Sequence, residues 1–152
     1  MADKFPIAVK LGSMRGVISI IKEEGGSILL SKLFQESEEE IDDMLPVLNA
    51  CKMLGLLTMD NGYAKLTETG SAAKDLKPIM RAKLPTFEPF KTAIAIIKDS
   101  PEVSTEDLFG RLVKKDEVRL EGVDIKTLRK TLISWLVRDD IVNYDQERDT
   151  WS

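Results

Sequence analysis

A mainly α fold with small β-hairpins, an α+β arrangement of two winged-helix units in tandem, is what the sequence predicts. Three observations predict it. Residues Ser37 to Gly70 read as a capped helix running into a strand, a two-residue turn and a returning strand. The second half, from about Phe90, repeats that plan of helices followed by a hairpin. Between the halves, Pro85-Thr86-Phe87-Glu88-Pro89 breaks every helical pattern, which puts the boundary between units 1–84 and 85–152, the second packed on the first.

Met1 to Lys10 has no clear period, although Phe5, Ile7 and Val9 alternate as a short extended arm would. Leu11 to Glu24 carries Met14, Val17, Ile18 and Ile21 at helical spacing and stops at Gly25-Gly26. Ser27 to Leu30 is a short extended stretch positioned to pair with the wing, and Ser31 reads as the N-cap of a brief helix through Gln35. Ser37 and Glu40 have the spacing of a capping box, in which the hydroxyl and the carboxylate each satisfy an orphan backbone N–H. Ile41, Met44, Leu45, Leu48 and Cys51 then line one face, and Gly55 supplies the stop. Pro46 removes one backbone bond inside this helix, at a cost of about 3 kcal/mol in a regular interior. The apolar period continues on both sides of it, so one bent helix is expected. Leu56 to Met59 and Tyr63 to Leu66 flank Asn61-Gly62, a pair suited to a hairpin turn because both positions need positive φ. Helices are expected over Ser71–Leu76 and Ile79–Leu84.

In the second half, Phe90, Ala93, Ile94 and Ile97 mark one helix, ended by Ser100-Pro101. Ser104 or Thr105 caps another through Val113, with Leu108, Phe109 and Leu112 inside. Asp124 caps a third, whose buried stripe is Ile125, Leu128, Leu132, Trp135 and Leu136. Ile141 to Tyr144 and a strand near Trp151 form a second, shorter hairpin around Asp145 to Asp149. The halves share architecture and not residue-level identity.

Composition narrows the chemistry. The 152 residues are 43% apolar and 32% charged, a globular balance, and no apolar run approaches the roughly 20 residues that span a bilayer. With no basic and apolar leader at the start, a cytoplasmic location is expected. Cys51 is the single cysteine and histidine is absent, so the commonest general base is missing and neither a metal site nor a cofactor is expected. No glycine-rich phosphate loop occurs. An enzyme is not expected.

Net charge is −4; residues 1–80 hold 9 Lys and Arg against 12 Asp and Glu, and residues 81–152 hold 13 against 14. Binding to nucleic acid rests on neutralising phosphates, so this acidic balance disfavours it unless a basic patch is concentrated somewhere. The acidic run Glu36 to Asp43 sits at the start of the helix that would face DNA in the first unit, where it would repel phosphates. In the second unit Lys126, Arg129 and Lys130 fall opposite Leu128, Leu132 and Trp135, with Arg138 near the helix end. These four are the candidate face for an acidic partner or for phosphates, flanked by Asp124, Asp139 and Asp140. Trp135, Trp151, Tyr63 and Tyr144 have the periodic placement of core aromatics, although together they would also suit a ligand pocket. Met53 and Met80 read as exposed methionines.

Gly25-Gly26, Leu45-Pro46-x-Leu48-x-Ala50, Leu54-Gly55-Leu56, Leu66-Thr67-x-x-Gly70 and Trp135 with Asn143-Tyr144-Asp145 together make the chain, from about Leu11 to its end, resemble the AAA-associated C-terminal domain family. That family follows the ATP-binding subunit of ABC transporters of the nitrate, sulfonate and taurine type. The resemblance implies a non-catalytic accessory or regulatory module that binds a protein partner, either such an ATPase, on a separate chain unless this sequence is a fragment, or its own copy as a homodimer. After Trp135 this chain has Leu136 where the family often has glycine. The alternative expectation is a winged-helix transcriptional regulator reading DNA through Lys126, Arg129 and Lys130. A third is small-molecule sensing.

Overall fold

The computed structural model describes residues 3–37, 41–115, 118, 120 and 122–152. Backbone contacts divide the chain into two units: Pro6–Leu76, and Lys77–Ser152 joined by the start of the chain as far as Phe5. Each consists of helices with one small antiparallel sheet of three strands, so the chain is mainly α with β-hairpins.

In the first unit, α1 (Leu11–Glu23) buries Met14, Val17, Ile18 and Ile21, the stripe that the spacing predicts. It ends at Gly25 with φ 87°, where Gly26 N–H reaches the Ile21 carbonyl at 2.9 Å and Gly25 N–H reaches that of Lys22 at 3.0 Å. This double bond pattern requires a left-handed residue, which glycine adopts without a Cβ penalty. β1 (Ser27–Leu29) passes directly into α2 (Leu30–Ser37), so Ser31 lies inside that helix and is not its cap. Strand pairing fixes the entry: Leu30 N–H is already held by the Gly62 carbonyl at 2.8 Å. Ser37 closes α2, its Oγ donating to the Phe34 carbonyl at 3.1 Å. Glu40, the other half of the expected capping box, lies outside the described residues, as do Glu38 and Glu39.

α3 (Ile41–Met53) runs through Pro46 as one helix. Met44, Val47, Leu48, Ala50 and Cys51 are buried; Leu45 is 41% exposed, because Val47 falls three residues after Met44 and takes the inward row. Leu56 N–H and Gly55 N–H close the helix on the carbonyls of Cys51 and Lys52, repeating the ending of α1. β2 (Leu57–Asp60) and β3 (Tyr63–Leu66) form the hairpin, with Asn61 at φ 52° and Gly62 at φ 78° as the turn chemistry demands. The strand order is β1-β3-β2.

The expected helix over Ser71–Leu76 is displaced: α4 spans Glu68–Ala72. Thr67 sets its start, with Oγ1 accepting from Gly70 N–H at 3.0 Å and donating to the Gly55 carbonyl at 2.6 Å. One hydroxyl thus caps α4 and ties it to the end of α3. The contact explains why Leu54-Gly55-Leu56 and Leu66-Thr67-x-x-Gly70 belong together.

In the second unit, α5 (Lys77–Lys83) continues into a 3-10 turn over Leu84–Thr86, and α6 (Phe90–Asp99) buries Phe90, Ala93, Ile94 and Ile97. Glu88, itself buried, caps α6, its carboxylate accepting from Thr92 N–H at 2.8 Å and from the Thr92 hydroxyl at 2.5 Å. The start of the chain is no extended arm through Val9: Ile7 and Ala8 form a turn, and only Lys4 makes an isolated parallel bridge, to Glu88. Phe5 is fully buried beside Phe90 and edge-on to Trp135, with ring centroids 5.8 and 5.1 Å away. Met80 is also core and Met53 is half-buried, so neither is the exposed methionine expected.

β4 (Val103–Ser104) leads into α7 (Thr105–Val113), capped by Ser104 Oγ, which accepts from Asp107 N–H at 3.1 Å. α8 (Ile125–Leu132) follows, then a π-helical turn over Ile133–Val137, then the hairpin β5 (Tyr144–Asp145) and β6 (Thr150–Trp151). The strand order is β4-β6-β5. In both units, therefore, the strand that precedes the helices pairs with the returning strand of the hairpin. The repeat of architecture extends to sheet topology, including a strand at Val103 that the sequence does not announce.

Candidate functional site

The candidate face is built on α8. Asp124 sets where it begins, its Oδ1 accepting from Thr127 N–H at 2.7 Å, and the Thr127 hydroxyl together with this N–H holds the Asp124 carboxyl below the usual carboxylate range. Leu128, Thr131 and Leu132 turn inward, as do Trp135 and Leu136 in the π-helical turn that continues the axis. With that stripe buried, Lys126 and Lys130, four residues apart, stand exposed on the outer side of the helix. Arg138, beyond the π-helical turn, is exposed as well.

Arg129 does something else. Its Nε and a terminal nitrogen donate to the two carboxylate oxygens of Asp149, at 3.0 and 2.9 Å. Asp149 also accepts from the hydroxyls of Thr105 and Tyr144, each at 2.5 Å, and the Trp151 indole donates to Thr105 Oγ1 at 2.9 Å. One carboxylate therefore joins α8, α7 and both ends of the second hairpin. The Arg129 guanidinium, together with the two hydroxyls, holds the Asp149 carboxyl down to about 2 despite partial burial. Reciprocally, the bonded carboxylate raises the Arg129 and Tyr144 pKa values. Of the four residues singled out in the sequence, Lys126 and Lys130 share one exposed face, Arg138 lies past the turn, and Arg129 is engaged within the fold.

The end of the π-helical turn carries a second charged cluster that sequence reasoning read only as flanking acids. Asp140 sits at φ 57°, the left-handed position after a helix, while Ile141 N–H returns to the Leu136 carbonyl at 2.9 Å. Its carboxylate pairs with Lys77 at 2.6 Å and Arg81 at 3.1 Å, and these cations hold the Asp140 carboxyl low. Arg81 Nε also donates to the Asp139 carbonyl at 2.7 Å, fixing α5 to this corner. The Asp139 side chain is 2% exposed, and its Oδ2 has no hydrogen-bond partner among the described residues. Burial pushes its carboxyl up to about 6, against the opposing pull of Lys77, Arg138 and Arg81. The signal that could have found this corner was the Arg-Asp-Asp run after an apolar helix, in which one acid takes the helix-ending position and the other turns inward.

The aromatics do not converge on a pocket. Trp135 and Trp151 are core, Tyr144 packs on Trp151 with centroids 4.5 Å apart, and Tyr63 stands on the outer side of the first sheet. There it lies directly across from Leu29 in the β1–β3 register, and both are exposed, a small apolar pair on an otherwise polar sheet face. Among the described residues no cluster of metal-ligating side chains occurs, and no helix is long and apolar enough to cross a membrane.

No curated protein and no solved structure matches the chain. Residues 31–145 match the family described as the C-terminal AAA-associated domain, a span that runs from α2 to the first strand of the second hairpin. The shared stretch takes in the Gly55-ended α3, the first hairpin and the Thr67 and Asp124 caps, and the chain belongs to the C-terminal AAA-associated domain family.

Proposed function

We propose that this chain is a non-catalytic accessory module, two winged-helix units that act by binding a protein partner, the partner being the ATP-binding subunit of an ABC transporter of the nitrate, sulfonate and taurine type. The observation that carries the reading is the family match over residues 31–145, which extends across both units and not over one of them. Two surfaces suit such a role. Lys126 and Lys130 offer an acidic partner two cations on a helix whose inner side is already filled, and the Leu29–Tyr63 pair offers an apolar contact. The module is read as acting in the cytoplasm and without a cofactor.

Binding is tested by titrating a purified ATP-binding subunit of that class onto the immobilised chain. Saturable binding that weakens in Lys126→Glu/Lys130→Glu is expected; equal binding by this variant removes α8 from the interface, and no binding removes the ATPase as partner.

A second reading, a DNA-binding regulator, draws on the same exposed cations. With Arg129 engaged by Asp149, Lys126, Lys130 and Arg138 are the cations of the candidate face left for phosphates. The slope of log affinity against log salt would then be no steeper than about −3 per protomer. Anisotropy of random duplex DNA at about 50 mM salt, where electrostatic contacts are strongest, decides between the two. No binding leaves the protein partner; salt-sensitive binding lost in Lys126→Glu/Lys130→Glu favours the regulator.

A further inference from the structure

The first unit carries a cationic groove that neither the family match nor the α8 face accounts for. Arg15, Ile18, Ser19 and Lys22 recur along one stripe of α1, and across from them lie Ala73, Lys74 and Leu76, which follow α4. The groove between them has a volume of about 190 Å³. Ile18 and Leu76 are buried and form its apolar floor, while the Arg15, Ser19, Lys22 and Lys74 side chains stand exposed around it.

Its charge runs against its surroundings. Residues 6–76 hold 7 Lys and Arg against 11 Asp and Glu, yet three of those cations line this groove and no acid does. None of the three enters an ion pair among the described residues, whereas Lys32 in the same unit is paired with Glu24 and Glu36. Lys22 is also held in place: its ammonium donates to the Ala73 carbonyl at 3.3 Å, which bridges the two walls and leaves further N–H donors for a ligand. Like charges gathered without counter-ions raise the local positive potential, and an anion seated among them relieves it. A guanidinium, two ammonium groups and a serine hydroxyl supply donors and no competing carboxylate, the chemistry that recognises phosphate or carboxylate oxygens.

We propose that the groove between α1 and residues 73–76 binds a small polyvalent oxyanion, a molecule bearing phosphate or carboxylate groups, through Arg15, Lys22 and Lys74 with Ser19. A groove of this volume admits a compact anion. This site is separate from the α8 face, and it stands or falls independently of the ATPase partner.

Pyrophosphate and citrate, titrated separately at constant ionic strength and followed by amide chemical shifts, test it on the full chain. Saturable shifts centred on Ser19, Lys22, Ala73 and Lys74 are expected with at least one of the two anions, and which anion binds tighter separates phosphate from carboxylate recognition. Arg15→Gln/Lys74→Gln should weaken that affinity about tenfold, while Lys126→Gln/Lys130→Gln leaves it unchanged. All four side chains are exposed, so unchanged circular dichroism is expected of both variants. Shifts spread over other cations, equal affinity in Arg15→Gln/Lys74→Gln, or no saturation with either anion at about 10 mM would overturn the proposal.

Discussion

Arg129 grips Asp149 with two parallel N–H donors, and this pair, twenty residues apart in sequence, closes the second hairpin onto α8. Asp149 stands at φ 54° and accepts from Thr105 and Tyr144 as well, so its carboxylate is a junction of three side chains. Asp149→Ala should destabilise the second unit by about 1–3 kcal/mol, the cost of leaving several donors without an acceptor. Asp149→Asn should recover part of that loss, because the amide oxygen still accepts but carries no charge. Urea unfolding read through the fluorescence of Trp135 and Trp151 measures both.

Stability should pass through a maximum in mildly acidic solution. Asp139 binds its proton more tightly folded than unfolded, with a carboxyl raised to about 6, so stability falls as pH rises from the ordinary carboxylate range through about 6. Asp149 is depressed to about 2, so its contribution is present above the ordinary carboxylate value and is lost as pH falls toward about 2. Asp139→Asn should be more stable than the parent at pH 7, by on the order of 1–2 kcal/mol, and should lose the decline between about pH 4 and 6. Denaturant midpoints across pH check both limbs; a flat profile in the parent would remove the role given to Asp139.

Gly70 cannot carry a side chain. A Cβ built on it would lie 1.9 Å from the Leu56 carbonyl oxygen, a backbone atom that Thr67 N–H already holds at 3.0 Å. Gly70→Ala must push α4 away from the Leu56 backbone, just before β2, and is expected to cost about 1–3 kcal/mol, seen as a lowered melting temperature. Gly12→Ala, in open space within α1, should be neutral or slightly stabilising.

The caps have separable values. Ser104→Ala removes the acceptor for Asp107 N–H and is expected to cost about 1 kcal/mol. Thr67→Ala removes both the cap of α4 and the bond to the Gly55 carbonyl, so its cost should exceed that of Ser104→Ala. Thr67→Ser, which keeps the hydroxyl, should restore most of the difference.

Cys51 lies fully buried in α3, and burial pushes its thiol up to about 12. A thiol so placed is neither exposed nor ionised at neutral pH, so alkylation should be slow in the native protein and fast in denaturant. Rapid native labelling would show that α3 opens locally.

The sequence by itself determined the elements whose cause is local. Gly25-Gly26 and Gly55 end helices because the left-handed residue after a helix suits glycine; Asn61-Gly62 makes the hairpin because both positions need positive φ; Asp124 begins α8 because its carboxylate reaches Thr127 N–H. Periodicity likewise placed Met14, Ile21, Leu128 and Leu132 inside. What only the tertiary structure decided involves partners far apart in the chain. Thr67 starts α4 early because Gly55 is there to accept its hydroxyl, and β4 exists because Trp151 returns to pair with Val103. Arg129 and Lys130 are neighbours of equal formal charge on one helix, yet one is bound to Asp149 and the other is exposed. A helical period assigns a face to each cation. It says nothing about which of them meets a carboxylate brought back by a hairpin twenty residues later, and that meeting decides which charges remain for a partner.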